Sequence, residues 1–160
     1  MANGSLSIIL ETLKNYKVPF VVIGGYAVNF HGYVRATEDC DIIFLRNSKS
    51  EAALFNALNE LAACRIGKKI DPKTKLEELI PVDESFIRIT NLMMLHTKHG
   101  YIDIFDYIPG FPGKNPELLF KDSEKFKGIN FVSLKWLKIL KKASGRPRDI
   151  EDIKNLRTLK

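Results

Sequence analysis

Two hydrophobic periods organise the chain. Between Ser5 and Leu13 the apolar residues Leu6, Ile9, Leu10 and Leu13 recur at amphipathic-helix spacing, so a helix is predicted that ends before Pro19. Phe20-Val21-Val22-Ile23 is a short β-branched run that stops at Gly24-Gly25, the pattern of a fully buried strand. Tyr26 to His31 then reads as a short helix closed by Gly32 in a left-handed cap. Asp39 to Leu45 alternates and then turns continuously apolar, a strand ending at Arg46-Asn47, after which Ser48 is placed to cap a helix from Ser50 to Cys64 that carries Leu54, Leu58 and Leu61.

The pattern weakens between Arg65 and Ser85, where Pro72, Pro81 and mixed charges predict irregular chain with a short helix near Leu76 to Ile80. Phe86 to Thr90, Leu92 to Thr97 and Tyr101 to Ile108 read as three strands of a meander, the last two joined at His99-Gly100. Pro109 to Gly113 breaks regular structure, and Asn115-Pro116 opens a short helix to Phe120. Ile129 to Val132 is a strand, Ser133 caps a strongly amphipathic helix over Leu134 to Ala143, Gly145-Arg146-Pro147 interrupts, and a last helix runs from Asp149 to Thr158. These elements predict an α/β (α+β) fold: a mixed, twisted central sheet with strands near 21–23, 40–45 and 101–107 at its core, flanked by helices and completed by a C-terminal helical segment.

Composition narrows the class. A chain of 160 residues fits one domain over 1–160. Its 45% hydrophobic and 28% charged residues exclude a disordered or collagen-like chain. No apolar run is long enough to span a bilayer, and the first residues lack the basic leader and apolar centre of a secretory signal. Cys40 and Cys64 form no metal-binding pair or disulfide framework, which points to a reducing cytoplasm. Charge is unevenly spread. Residues 1–113 carry 12 basic and 13 acidic side chains, whereas residues 114–160 carry 13 and 6. The basic third suits a polyanion such as a nucleoside triphosphate or RNA, or is simply a solvated lysine-rich helical face.

Against this background two aspartates stand out. Asp39 and Asp41 lie one residue apart in a strand, so they share a face roughly 6 to 7 Å apart along the chain, while Cys40 points into the core. Like charges so placed oppose folding unless a cation joins them. Oxygen ligands suit a hard cation such as Mg²⁺ that is shared with phosphates. Ile102-Asp103-Ile104 offers a third carboxylate on a second strand, facing away from its apolar neighbours. Gly24-Gly25, where a strand meets a helix N-terminus, would let a phosphate approach closely, although taken alone it reads more simply as a tight strand-to-helix connection.

Ile23-Gly24-Gly25 followed by Asp39-Cys40-Asp41 resembles the signature of the DNA polymerase beta-like nucleotidyltransferases. More narrowly, Gly-Gly-x-Ala, His31-Gly32, Arg35-x-Thr37-x-Asp39-x-Asp41 and the tail Lys141-x-x-x-Gly145-Arg146-Pro147-Arg148-Asp149-x-x-Asp152-Ile153 resemble the small bacterial and archaeal branch that includes abortive-infection and type IV toxin-antitoxin nucleotidyltransferases. The resemblance runs nearly end to end, with a catalytic core at about 18–108 and a basic helical part at about 114–160. It implies transfer of a nucleoside monophosphate from an NTP, ATP among them, to an acceptor with release of pyrophosphate. By the same resemblance Asp39, Asp41 and Asp103 hold two Mg²⁺ ions, Mn²⁺ being the alternative, and Asp103 acts as or beside the general base. Gly24, Gly25, Arg35, Thr37, Lys141, Arg146 and Arg148 would serve the triphosphate or acceptor, Thr37 chiefly by ordering the turn into its strand. The implied partners are the NTP, an RNA or tRNA, protein or small-molecule acceptor, and a homodimeric or antitoxin-like protein partner, with no membrane. The competing reading is a nucleotide- or RNA-binding module on the same fold that has lost catalysis.

Other chemistry-bearing residues have simpler explanations. Asp39 and Asp41 would be ordinary solvent-facing residues if their strand were an edge. His31 reads as a helix-end residue bonded to backbone, and His96 with His99 lacks the cysteine partners of a zinc site. Asp106 is expected to be structural, Trp136 to pack in the core rather than stack on a base, and Asp149 and Asp152 to favour the start of the last helix.

Overall fold

The computed structural model describes residues 2–158, so Met1, Leu159 and Lys160 of the expected 1–160 domain lie outside it. In chain order the elements are α1 (Ala2–Asn15), β1 (Phe20–Ile23), α2 (Gly24–Phe30), β2 (Asp39–Phe44), α3 (Ser48–Glu60), β3 (Cys64–Ile70), β4 (Glu77–Pro81), α4 (Glu84–Ile89), β5 (Leu92–Thr97), β6 (Gly100–Phe105), α5 (Glu117–Lys121), β7 (Glu124–Phe126), β8 (Ile129–Phe131), α6 (Leu134–Ser144) and α7 (Pro147–Thr158). The eight strands form one mixed sheet in the order β4-β3-β5-β6-β2-β1-β8-β7. This is the expected α/β architecture with a mixed central sheet.

The centre of the sheet follows from hydrophobicity. Strand β1 is buried throughout and pairs antiparallel with β2 and parallel with β8, while β2 pairs parallel with β6. Parallel pairing demands cover on both faces, and the continuous apolar runs of these strands supply it. Cys40 and Ile42 of β2 lie in register with Ile102 and Ile104 of β6, and all four are fully buried. Helix α1 presents Leu6, Ile9, Leu10 and Leu13 to the core at 2% exposure or less. Helix α6 begins at Ser133, whose hydroxyl accepts from the Trp136 amide, and stops at Gly145, which takes the left-handed conformation (φ 63°).

Several local expectations are corrected. Residues 65–85 are not irregular and contain no helix near Leu76: β3 and β4 form an antiparallel hairpin with a register shift between Ile66 and Ile70. Phe86 to Thr90 is not a strand but most of α4, because the Asp83 carboxylate accepts from the Phe86 amide and starts a helix. Strand β7 was not foreseen. The cap of α3 is Asn47 rather than Ser48, with Asn47 and Ser50 bonding reciprocally. Helix α2 begins directly at Gly24, and α7 begins at Pro147.

Candidate active site

Strand order places the carboxylates. Because β2 lies between β1 and β6, Asp39 and Asp41 are not on an edge. Asp41 pairs across the parallel ladder with Asp103 and across the antiparallel ladder with Ile23. The two aspartates therefore share one face of the sheet, and Asp39 joins them from two residues earlier. Carboxylate oxygens of Asp39, Asp41 and Asp103 all lie within 4.8 Å of one another.

The same register brings the end of β1, and hence Gly24, against Asp41. Gly24 holds a positive φ of 68°, and a Cβ there would collide with the Asp41 carboxylate, lying 2.9 Å from its Cγ. Glycine is required twice over, by conformation and by space. At Gly25 a Cβ would lie 2.9 Å from Thr37 Oγ1 and 3.1 Å from the Arg35 guanidinium. Thr37 is buried, and its hydroxyl donates to the Asp39 carbonyl at 3.0 Å, tying the connection to the strand.

Burial raises the Asp41 carboxyl to about 8, reinforced by the charges of Asp39 and Asp103 and by a hydrogen bond with Asp103. Asp103 is raised by its own burial and by Asp39. Burial, followed by the three carboxylates, pushes the Cys40 thiol well up, so it stays a protonated core residue. An all-oxygen donor set, repelled into holding protons and given space by Gly24, fits a hard divalent cation such as Mg²⁺ or Mn²⁺.

The facing wall is basic, but its cations are differently employed. Arg35 Nε and NH2 donate to the two oxygens of Asp152 at 2.7 and 2.8 Å, and NH1 donates to the Ala36 carbonyl. Lys141 is 6% exposed, and its amine lies 3.0 Å from both Asp149 and Asp152. Arg146 Nε donates to Asp149 at 2.9 Å while its side chain remains 73% exposed. Arg148 lines the same cleft and forms no hydrogen bond or ion pair among the described residues.

Asp149 and Asp152 thus do more than start α7. Asp149 does accept from the Arg146 amide at the helix entry, but both carboxylates are buried at the hub of an ion network. Burial would raise Asp149, yet hydrogen bonds from Arg146, Lys141 and Ser144 hold it far below the usual carboxylate range. Asp152 is likewise lowered, against burial, by Arg35 and Lys141. Sequence reading missed this hub because Arg35 and Asp152 are 117 residues apart.

All ten residues singled out from the sequence line one cleft of about 910 Å³: Asp39, Asp41, Asp103, Gly24, Gly25, Arg35, Thr37, Lys141, Arg146 and Arg148. Those read as structural behave so. His31 Nε2 bonds the Val132 carbonyl at 2.7 Å, Asp106 pairs with Arg46 and Asn91, and Trp136 packs edge-on against Phe111.

Comparison with known proteins rests on shape. No protein-family model matches the chain, and no curated protein matches it in sequence. Among solved structures, the lincosamide antibiotic adenylyltransferase LnuA with lincomycin bound is similar over 98% of this chain and 97% of its own, with 19% identity and a TM-score of 0.64. The antibiotic-resistance factor ANT(2'')-Ia is similar over 99% of this chain and 85% of its own, with 13% identity and a TM-score of 0.60. A structure of ANT(2'')-Ia in complex with adenylyl-2''-tobramycin gives 14% identity and a TM-score of 0.56 over 94% of this chain and 84% of that one. The chain has the nucleotidyltransferase fold.

Proposed function

We propose that the protein is a divalent-metal-dependent nucleotidyltransferase that moves a nucleoside monophosphate from an NTP to an acceptor hydroxyl and releases pyrophosphate. The observation that carries this reading is the convergence of Asp39, Asp41 and Asp103 beside the Cβ-free approach at Gly24. A pure binding module has no use for three mutually repelling carboxylates opposite a phosphate.

Bound at Asp39, Asp41 and Asp103, Mg²⁺ or Mn²⁺ would neutralise phosphate charge and lower the pKa of the attacking hydroxyl. Gly24 and Gly25 admit the triphosphate against backbone amides. Arg146 and Arg148, the exposed cations of the wall, meet its outer phosphates. Arg35 and Lys141 hold that wall in place through Asp149 and Asp152. The acceptor oxygen attacks the α-phosphorus, the bond from that phosphorus to the bridging oxygen breaks to release pyrophosphate, and Asp103 takes the acceptor's proton as, or beside, the general base. ATP is the proposed donor, supported by the adenylyl group named in the similar structures. Two unpaired cysteines support a reducing cytoplasm, and no described helix is long and apolar enough to cross a membrane.

The decisive experiment supplies each labelled NTP with Mg²⁺ and compares total RNA, including tRNA, with a panel of small hydroxylated molecules as acceptors. Label transfer that disappears in Asp39→Ala is the expected result. Metal-independent nucleotide binding that survives Asp41→Asn, with no transfer to any acceptor, would establish the binding module instead.

A further inference from the structure

The cleft is chemically divided. Each of its Arg and Lys side chains, Arg35, Lys141, Arg146 and Arg148, comes from the connection before β2, from α6, from the α6–α7 turn or from the start of α7. Strands β3, β5 and β6 contribute no arginine or lysine to it. They contribute Ile66, Met94, His96, Tyr101 and Phe105.

Strand register shows how this apolar floor joins the carboxylates. Met94 is the direct partner of Asp103 across the β5–β6 ladder, so the two side chains stand on one face. Cys64 pairs with His96 between β3 and β5, which sets Ile66, two residues along, level with Met94. Leu79 is the partner of Ile66 in β4. A row Asp103, Met94, Ile66, Leu79 therefore crosses four strands, from the carboxylates to the edge of the sheet. Met94 is 63% exposed, Leu79 53%, Tyr101 48% and Ile66 45%, whereas the alternate residues Met93, Leu95 and Ile102 are buried. Large apolar side chains held open beside a polar centre mark a binding surface.

We propose that this floor is the acceptor subsite and that it takes a small hydroxyl-bearing molecule with an apolar or aromatic body, not a nucleic acid. The proposal rests on the nucleotidyl-transfer reading of the same cleft. Charge selects the occupant. A nucleic-acid acceptor brings a phosphate with each nucleotide and needs cations along its track, yet the floor supplies no arginine or lysine to the cleft lining and is bordered there by Asp39, Asp103 and Glu38. A neutral body packed on Ile66, Met94 and Tyr101 pays no such electrostatic penalty, and the register of Met94 with Asp103 delivers its hydroxyl to the carboxylate.

The test uses the whole chain with isotopically labelled methionine methyl groups, Met93 on the buried face serving as reference for Met94. Phenyl β-glucoside, glucose and a short single-stranded RNA are titrated in separate arms. Phenyl β-glucoside is expected to shift Met94 with an affinity that Ile66→Asp weakens by about tenfold; Ile66 is exposed, and spectral dispersion verifies the fold of the variant. No shift with phenyl β-glucoside, an equal response to glucose, or a stronger response to RNA overturns the proposal. So does a change of oligomeric state in Ile66→Asp with the Met94 response intact, which would assign the row to a second copy of the chain. Mg²⁺-dependent binding of a fluorescent ATP analogue is followed in parallel and should be unchanged in Ile66→Asp. Its absence from the unmodified protein would remove the donor reading separately from the acceptor result.

Discussion

Two groups of aspartates lie at and behind the walls of the cleft, and burial acts on them alike while their neighbours do not. Asp149 and Asp152 are enclosed by Arg35, Lys141 and Arg146, so both are held below the usual carboxylate value, Asp149 far below it. Asp41 and Asp103 have mainly each other and Asp39, so they hold protons to higher pH than a free carboxyl. One group is a closed electrostatic network, and the other is an open cluster of like charges that a cation would complete under the proposed function. Fold stability and proposed chemistry are thus divided between carboxylates that composition alone would treat as equivalent.

The widest separation between the groups should come from Asp41→Asn. Loss of a ligand worth several kcal/mol in the transition state lowers label transfer by at least about 10³-fold. The same change removes a repelled carboxylate, so the metal-free thermal midpoint should hold or rise. A midpoint that falls would make Asp41 a structural residue and erase the contrast.

Asp152→Asn should do the reverse. It removes the charge that Arg35 and Lys141 share, leaving Arg35 without a carboxylate and Lys141 with Asp149 alone, and breaking so enclosed a pair costs about 3 kcal/mol. Urea denaturation measures it directly. Little or no change in the midpoint would show that Asp149 alone sustains the network.

Stability against pH sharpens the comparison further. The folded protein keeps a proton on Asp41 between the ordinary carboxyl value of 3.8 and about 8, so the native state binds more protons than the unfolded chain across that window. Metal-free stability should therefore decline as pH rises through it and level off above about 8. Asp149, whose pKa is depressed, contributes stability that is present above 3.8 and lost as pH falls toward its folded value. Thermal midpoints measured with and without Mg²⁺ test both signs: the ion should stabilise most on the alkaline side, where it no longer competes with the proton. Asp41→Asn should flatten the alkaline decline and leave the acid one.

Legibility in the sequence followed the same division. Strands β1, β2 and β6 declared themselves because they are buried on the faces that matter and their apolar runs are continuous. Asp39, Asp41 and Asp103 stood out as exceptions within those runs. Helix α4 was misread because Ile87-Arg88-Ile89-Thr90 alternates like a strand, and only the Asp83 cap decides otherwise. The β3–β4 hairpin was invisible for the opposite reason. Nearly all of its residues beyond Gly67 are exposed, so neither face imposes a period on Lys68, Lys69, Glu77 and Glu78. The ion network was hidden by distance along the chain, and the exposed row at Met94 by lying in strands whose buried alternates carry the visible pattern.

The smallest expected effect concerns two arginines on one wall. Arg35 spends its guanidinium on Asp152 and on backbone, whereas Arg148 has no partner among the described residues. Arg148→Ala should change stability by no more than about 0.5 kcal/mol, as for an unpaired surface residue. It should weaken Mg²⁺-dependent NTP binding by about tenfold, the value of one charge-assisted hydrogen bond to phosphate. Arg35→Ala should instead lower the thermal midpoint, because Asp152 then loses its bidentate partner. Fluorescent-nucleotide titration beside thermal unfolding of both variants separates a cation that binds the donor from one that holds the wall. If Arg148→Ala left NTP affinity unchanged, Arg146 would carry the phosphate contact alone.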